Sequence, residues 1–239
     1  MHTLMALWLA GCGFSPTTAR AEMTASATVV SDYDYRGVSQ TASDPAVQIG
    51  TGYTGNHIHL EVWSSNVKFD TTPGFFDSRH SEVAYSASLL AGSDALVSYE
   101  IGVDYFTYPG WHPNLDYPEV VATVAHGAIS SSLHYTWEYS NQRPQLAAYY
   151  LEANDSCQLR HWGLKAIVHV GLSWGEYWNL YNGGKYADLS LGIQREFRYA
   201  TVTAQVVDTA GYVPIPHGQP FSGKARMIVS VSMEMPFRK

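Results

Sequence analysis

The sequence contains little charge and no long apolar run. Asp, Glu, Lys and Arg make up only 15% of its 239 residues, whereas a typical soluble domain carries about 25%. This deficit indicates that much of the surface does not face water. A helix that spans a bilayer needs about 18 or more consecutive apolar residues, and because the chain has no such run, a helical membrane span is excluded.

Cysteine is nearly absent as well. The two cysteines, Cys12 and Cys157, are far apart in the chain, and no Cys-x-x-Cys pair occurs. A metal site built from thiolates is therefore excluded. If the N-terminal segment is removed from the mature protein, Cys157 is left alone and no intramolecular disulfide can form.

The N-terminus has the pattern of an export signal. An apolar stretch over residues 1–11 is followed by Ala-Arg-Ala at 19–21, a small-x-small cleavage site. We therefore expect a signal peptide at 1–21 and a mature barrel domain at 22–239. Leu-Ala-Gly-Cys at 9–12 fits a lipoprotein signal instead, so cleavage after Ala21 and lipidation at Cys12 are both open.

Motifs of the common catalytic classes are missing. There is no Gly-x-Ser-x-Gly nucleophile turn and no Gly-x-x-x-x-Gly-Lys phosphate loop. The formal net charge of −7 argues against binding to nucleic acid. The sequence thus predicts a protein that is not an enzyme and has no cofactor or metal. A lipid-directed Ser/His hydrolase is an alternative, since Ser and His are plentiful.

What the chain does contain is alternation. Apolar and polar residues follow each other with a period of two, as in strands whose two faces meet different surroundings. We predict twelve such strands, at about 24–36, 45–54, 57–68, 79–90, 95–108, 118–127, 129–140, 146–154, 158–172, 184–195, 199–209 and 223–235. Short and longer connections alternate between them, as in outer-membrane barrels with short periplasmic turns and longer outer loops. The pattern predicts an all-β, antiparallel, up-and-down transmembrane β-barrel in the bacterial outer membrane.

One phase of every predicted strand is free of charge, from Val47 and Ile49 near the start to Val231 and Met233 near the end. An Arg or Lys at the bilayer midplane costs about 2–4 kcal/mol, so a lipid-facing surface requires such a phase. Tyrosines fall near the predicted strand ends, where aromatic girdles are expected. They are Tyr33, Tyr35, Tyr53, Tyr105, Tyr135, Tyr139 and Tyr149.

The most distinctive stretch is SDYDYRGVSQ at 31–40. In the predicted first strand, Asp32, Asp34 and Arg36 point to one side, where their opposite charges can compensate each other. Gly37 then ends the strand, and a polar turn region follows.

This stretch also carries a resemblance. With DPAVQ at 44–48, WSSNV at 63–67 and DYFTYPG at 104–110, it is similar to the N-terminal signature of the TorF-type porin family, bacterial outer-membrane proteins of unassigned role. The resemblance implies a fold and a location but no chemistry. The motif residues are Ser31, Tyr33, Arg36, Gly37, Ser39, Gln40, Pro45, Trp63, Ser65 and Asn66.

The phase opposite to the apolar one is polar and predicts the lumen. Its candidate pore-lining residues are Asp32, Asp34, Arg36, Glu61, Glu82, Glu100, Asp104, Glu119, Glu138, Lys165, Asp188 and Arg226. Acids outnumber bases, so a water-filled lumen should favour cations. A dozen strands enclose a narrow space. An open lumen and a plugged one, in which the acids pair with bases and hydroxyls, are both compatible with the sequence.

Two further patterns carry alternatives. His57 and His59 lie two apart next to Glu61, a spacing that can bind a divalent metal, although polar filling near a turn explains it as well. The aromatic-rich segment 174–181, WGEYWNLY, can stack on a flat ligand or serve as an interfacial anchor.

The sequence favours an outer-membrane porin or channel for small solutes. The alternative is a non-conducting barrel that acts as a structural anchor or interaction protein. The expected partners are outer-membrane lipid, small solutes and the barrel-assembly machinery. The resemblance to outer-membrane proteins implies that the terminal aromatic Phe237 is recognised by that machinery.

The acid-rich inner phase predicts the ion preference. If the reconstituted protein conducts, it should pass potassium in preference to chloride, because the lumen potential is negative. A reversal-potential measurement across a planar bilayer with a salt gradient checks this, and a clear anion preference would refute the lumen assignment.

Overall fold

The structure is a computed structural model. It describes residues 22–68, 80–94, 97–110, 114–141, 144–159, 163–213 and 222–237. The predicted signal peptide at 1–21, with both of its processing alternatives, lies outside the described residues. Within those ranges, no helix is sufficiently long and apolar to traverse a membrane.

The described chain consists almost entirely of strands. These are β1 Glu22–Val30, β2 Asp34–Tyr35, β3 Val38–Ser39, β4 Ala46–Thr54, β5 Ile58–Val67, β6 His80–Asp94, β7 Val97–Thr107, β8 Tyr117–His126, β9 Ile129–Thr136, β10 Ala148–Leu159, β11 Leu164–Gly175, β12 Tyr186–Glu196, β13 Thr201–Ala210 and β14 Arg226–Phe237. One α-helix, α1 Glu176–Tyr181, and one short 3₁₀ turn, Tyr139–Asn141, lie in connections between described strands.

Twelve of these strands close into one antiparallel barrel, and β2 and β3 form a separate small hairpin. Each barrel strand pairs with its neighbours in the barrel, and closure is completed by β1, which pairs with β14 on one side and with β4 on the other. The sheet therefore has no free edge, and backbone polar groups are satisfied between strands. The predicted fold, an all-β up-and-down barrel of about 12 strands, is confirmed.

The period-two pattern sets the two faces of the barrel. In β12, Leu191 points outward and is 61% exposed, whereas its neighbours Ser190 and Gly192 are buried inside. Leu191 aligns with Val168 of β11 and Val206 of β13, which are also exposed. The outer face is an apolar band that needs an apolar surrounding, and the inner face is polar.

The predicted first strand, 24–36, is wrong beyond Val30. The chain leaves the barrel wall there, and residues 31–45 fold back into the lumen as a loop that contains the β2–β3 hairpin. Arg36 and Gly37 have φ angles of 53° and 81°, which no continuing strand allows. Tyr33 and Tyr35, predicted in an aromatic girdle, are therefore 0% and 8% exposed inside the barrel.

Two other boundaries differ from the prediction. Strand β9 ends at Thr136, so Tyr139 lies in the connection and is buried instead of forming part of a girdle. Strand β10 continues to Leu159, through the join predicted at 155–157. The polar residues Asp155 and Ser156 resemble a turn in sequence. In the structure they continue β10 near the rim of the barrel and pair in register with β11.

The outer surface does carry an aromatic group at the end where the long connections lie. Tyr135, Tyr149 and Trp174 follow each other across β9, β10 and β11, with ring centroids 5.0 and 5.4 Å apart. Tyr53 and Tyr105 are also exposed on the outside. These positions suit the interfaces of a bilayer.

A charge placed in the centre of the apolar band tests whether lipid covers it. We expect Leu191→Arg to lower the free energy of unfolding by about 2–4 kcal/mol in a bilayer. Urea unfolding in lipid vesicles measures this change. Val213→Arg, at an exposed position in a connection, is the control and should change stability by less than about 0.5 kcal/mol; equal losses would contradict a lipid-facing outer band.

Candidate functional site in the barrel lumen

The lumen is filled at its long-loop end by residues 31–45, which we call the plug. Every side chain from Asp32 to Thr41 is buried. Within the plug, the Asp32 carboxylate accepts hydrogen bonds from the Ser39 and Thr41 hydroxyls at 2.6 and 3.0 Å. The backbone N–H of Gln40 donates to the Tyr33 carbonyl at 2.6 Å. These bonds fix the shape of the plug from within.

An arginine on the wall holds the plug from one side. Arg226, the first residue of β14, donates from Nε to Asp32 Oδ2 at 2.6 Å and from Nη2 to Asp34 Oδ1. Its Nη1 also donates to the Gly37 carbonyl at 3.0 Å. Asp32 and Asp34 are 4% and 6% exposed, so one guanidinium compensates two buried carboxylates.

A second arginine, carried by the plug, reaches the opposite part of the wall. Arg36 Nη2 donates to Glu119 Oε2 of β8 at 2.6 Å, and both side chains are nearly fully buried. The guanidinium carbon lies 4.6 Å from the ring centroid of Tyr35 and 4.4 Å from that of Tyr150 on β10. A carboxylate and two aromatic faces thus surround this cation, an arrangement that stabilises a desolvated guanidinium.

From Glu119 a row of alternating acids and imidazoles runs around the wall over five neighbouring strands. We call Glu119, His134, Glu152, His169 and Asp188 the ladder. His134 lies 3.4 Å from Glu119 and 3.5 Å from Glu152, and His169 lies 3.6 Å from Glu152 and 2.7 Å from Asp188. Each imidazole therefore lies between two carboxylates of the neighbouring strands.

The buried lumen carries more negative than positive groups. Seven buried carboxylates are described, and they are Asp32, Asp34, Glu82, Asp104, Glu119, Glu152 and Asp188. The fixed cations that face them are Arg36 and Arg226, and the ladder imidazoles lie between Glu119, Glu152 and Asp188. Glu82 accepts hydrogen bonds from the Tyr33 hydroxyl at 3.2 and 3.3 Å. Acidic side chains therefore outnumber arginines among the buried residues of the described lumen.

Above the plug, aromatic side chains close the long-loop end. Phe106 stacks on Tyr117, and Tyr139 contacts both Tyr177 and Trp178 of α1 at centroid distances of 4.5 and 5.4 Å. Burial raises the pKa of the Tyr139 and Tyr177 phenols above their usual value, so this cap is uncharged. The segment 174–181 is thus used partly in the cap and partly, through Trp174, on the outer face.

The short-turn end of the lumen is more open. Glu61, Glu100 and Lys165 point inward there and are only partly buried. Glu100 accepts a hydrogen bond from Ser88, and Lys165 lies 3.3 Å from Glu196 at the rim. The resulting vestibule is polar and acidic.

The remaining predicted residues are placed as follows. Glu138 lies in the connection after β9, which ends two residues earlier, and it accepts a hydrogen bond from Gln145 at 2.9 Å. His59 lies 3.7 Å from Glu61, and among the described residues no group of His, Cys, Asp and Glu side chains is arranged to hold a metal ion.

The motif residues outside the buried part of the plug mostly lie against it. Trp63 meets the Tyr33 ring edge-on at 5.4 Å, and Ser65 is buried nearby. Asn66 accepts a hydrogen bond from the Val47 N–H at 2.7 Å and donates to the Pro45 carbonyl at 3.3 Å. The motif thus comprises the plug and the adjacent strand segment, which contacts the chain where it passes from the plug into β4.

Glu119 and Asp188 are among the pore-lining residues predicted from the sequence, whereas Tyr150 is not. This tyrosine shares the inner phase of β10 with Glu152, so the alternation was the available signal. Its hydroxyl donates to Asp188 at 3.2 Å and lies 3.0 Å from His169 Nε2. These contacts fix the ring that faces Arg36.

The chain matches a known protein family over most of its length. Residues 15–235 match the model of Gcw_chp, described as a bacterial protein of unknown function. The chain belongs to this family. The narrower TorF-type assignment stays a prediction, and no curated protein matches the chain.

Solved structures of similar fold are membrane barrels. One, from a study of the in-meso crystallization of membrane proteins, has a TM-score of 0.56 at 9% identity and covers 91% of this chain and 85% of its own. The toluene transporter TodX of Pseudomonas putida has a TM-score of 0.45 at 7% identity, with 95% and 90% covered. At such identities only the fold is shared, and it is that of outer-membrane barrels.

The prediction that the protein is not an enzyme requires correction. LpxR from Salmonella typhimurium, an enzyme of the outer membrane, also resembles this chain, with a TM-score of 0.49 at 7% identity, covering 89% of this chain and 99% of its own. A barrel fold does not by itself exclude catalysis, because function depends on the site and not on the fold. The likeness is too distant to assign that activity here.

Removal of Arg226 tests how the plug is held. Arg226→Met leaves Asp32 and Asp34 buried without their cation, and we expect a loss of about 3–5 kcal/mol of unfolding free energy. Urea unfolding in vesicles is the measurement. Adding Asp32→Asn and Asp34→Asn should recover most of that loss. Lys165→Ala is the control. Because Glu196, the partner of Lys165, is exposed, this change should lower the free energy of unfolding by less than about 1 kcal/mol.

Proposed function

We propose that this protein is an outer-membrane channel for small solutes, with a preference for cations, and that the structure represents its closed state. The observation that carries the proposal is the filling of a polar, acid-rich lumen by a separate chain segment that is held through ion pairs. A barrel that served only as an anchor would be stabilised as well by an apolar filling, because buried ion pairs seldom improve on one.

The plug has the properties of a movable part. It is short, and its two ends leave the wall at β1 and re-enter at β4 without other covalent ties among the described residues. Arg36, Ala42 and Ser43 have φ angles of 53°, 56° and 64°, a left-handed conformation that is strained for residues other than glycine. Water can solvate both partners of each ion pair once the plug moves.

The acid excess supports the cation preference. With the plug withdrawn, the ladder acids, including Glu119, would line the route together with Glu61 and Glu100 of the vestibule. A ring of carboxylates attracts cations and repels anions. In this proposal the apolar outer band contacts outer-membrane lipid, and the barrel-assembly machinery inserts the chain.

A second candidate is a non-conducting barrel used as an anchor or interaction protein. The observation that favours it is the aromatic cap, which together with the plug closes the long-loop end with uncharged rings. The two candidates differ in whether removal of the plug creates conductance of defined selectivity.

Replacement of residues 32–40 by a Gly/Ser linker separates the candidates. If the plug closes a channel, single-channel recording should show a conductance several-fold above that of the native chain, with potassium favoured over chloride. The same replacement of the short turn 197–200, at the other end of the barrel, should leave the recordings unchanged. A plug variant that inserts into the bilayer and stays silent would favour the anchor.

A further inference from the structure

The surroundings of Arg36 suggest what the lumen binds. The plug side chain occupies a site that is built mostly from the wall: the Glu119 carboxylate at 2.6 Å and the face of Tyr150 at 4.4 Å. Glu119 and Tyr150 belong to β8 and β10, so they stay in the barrel when the plug moves. Without Arg36, the buried Glu119 carboxylate would lose its guanidinium partner, and the face of the Tyr150 ring would be left uncovered.

The wall part of this site is held in place by groups that do not belong to the plug. The Tyr150 hydroxyl donates to Asp188, and the His134 ring packs against Tyr150 at a centroid distance of 5.6 Å. His134 also lies between Glu119 and Glu152, 3.4 and 3.5 Å from them. The acceptor and the ring are therefore pre-organised, which lowers the cost of binding.

The shape of the site selects a class of cation. A flat guanidinium can lie on a ring and donate to a carboxylate in its own plane, whereas an ammonium is a compact point charge that is more strongly hydrated. The nearby Glu152 and Asp188 add negative charge without a guanidinium partner of their own among the described residues. A second cation of similar shape would therefore be tolerated in this region.

We propose that Glu119 and Tyr150 form a binding site for a small solute bearing a guanidinium group, and that Arg36 occupies it in the closed state as an internal surrogate. A solute of this class competes with Arg36 for Glu119 and so favours withdrawal of the plug. That the site lies on a transport route rests on the proposed channel function; that it binds such a cation does not.

A rescue experiment on the purified protein in detergent micelles tests the site itself. Arg36→Ala empties it, and millimolar methylguanidinium should then raise the melting temperature of the variant by about 3 °C or more, as expected for a ligand well above its Kd. Methylammonium should raise it much less. Arg36→Met, which keeps the length of the side chain, serves the same purpose if Arg36→Ala does not fold.

Two controls make the result specific. Adding Glu119→Gln to either variant should abolish the rescue, because the acceptor charge is gone. Lys165→Ala removes another lumen cation, near the rim, and should give no response to methylguanidinium. Absence of rescue in both Arg36 variants, or rescue that survives Glu119→Gln, would overturn the proposal.

Current recordings on the native chain test the route separately. Methylguanidinium should alter the potassium current at concentrations several-fold lower than methylammonium, and Glu119→Gln should remove the difference. Rescue in micelles with a plug-deleted barrel that stays silent would support the site and overturn the channel. A conducting barrel without rescue would support the channel and overturn the site.

Discussion

Closure of the sheet is the constraint on which the rest of this molecule depends. Because β1 pairs with both β14 and β4, no strand has a free edge, and alternate residues of every strand are committed to a narrow interior. Whatever points inward must be matched there in volume and in charge. The plug meets both demands at once: its tyrosines occupy space and its Asp and Arg side chains meet wall groups of opposite sign.

The plug that fills the lumen is held by ion pairs, although an apolar filling would also be stable. Arg226 of the wall forms ion pairs with two carboxylates of the plug, and Arg36 of the plug forms an ion pair with a carboxylate of the opposite wall. The plug is therefore held to the wall by electrostatic contacts on both sides. Such ion pairs contribute little to stability once the cost of desolvating the charges is included. When a pair separates, however, water can hydrate both charged side chains. In the proposed channel, the seated and withdrawn positions of the plug would therefore be closer in free energy than they would be for an apolar plug.

The wall ladder connects this charge balance to the proposed cation site. Its imidazoles each lie between two carboxylates, and its first member is the acceptor of Arg36. A cation bound at the proposed site would thus contact the first member of a row that extends over five strands. The excess of acids over arginines is a property of the assembled lumen, since the carboxylates come from strands and loops far apart in the chain.

The sequence by itself determined the barrel. Period-two alternation commits each residue to one face, and the strict alternation of short and long connections orders the strands, so strand number, closure and the outer face followed from local pattern. Only the tertiary structure decided the plug. SDYDYR alternates like a strand, and nothing local distinguishes a wall position for Tyr33 from a buried one. The partners that fold the segment inward, Glu119 and Arg226, lie 83 and 194 residues from Arg36 and Asp32 along the chain, and the barrel must close before they meet.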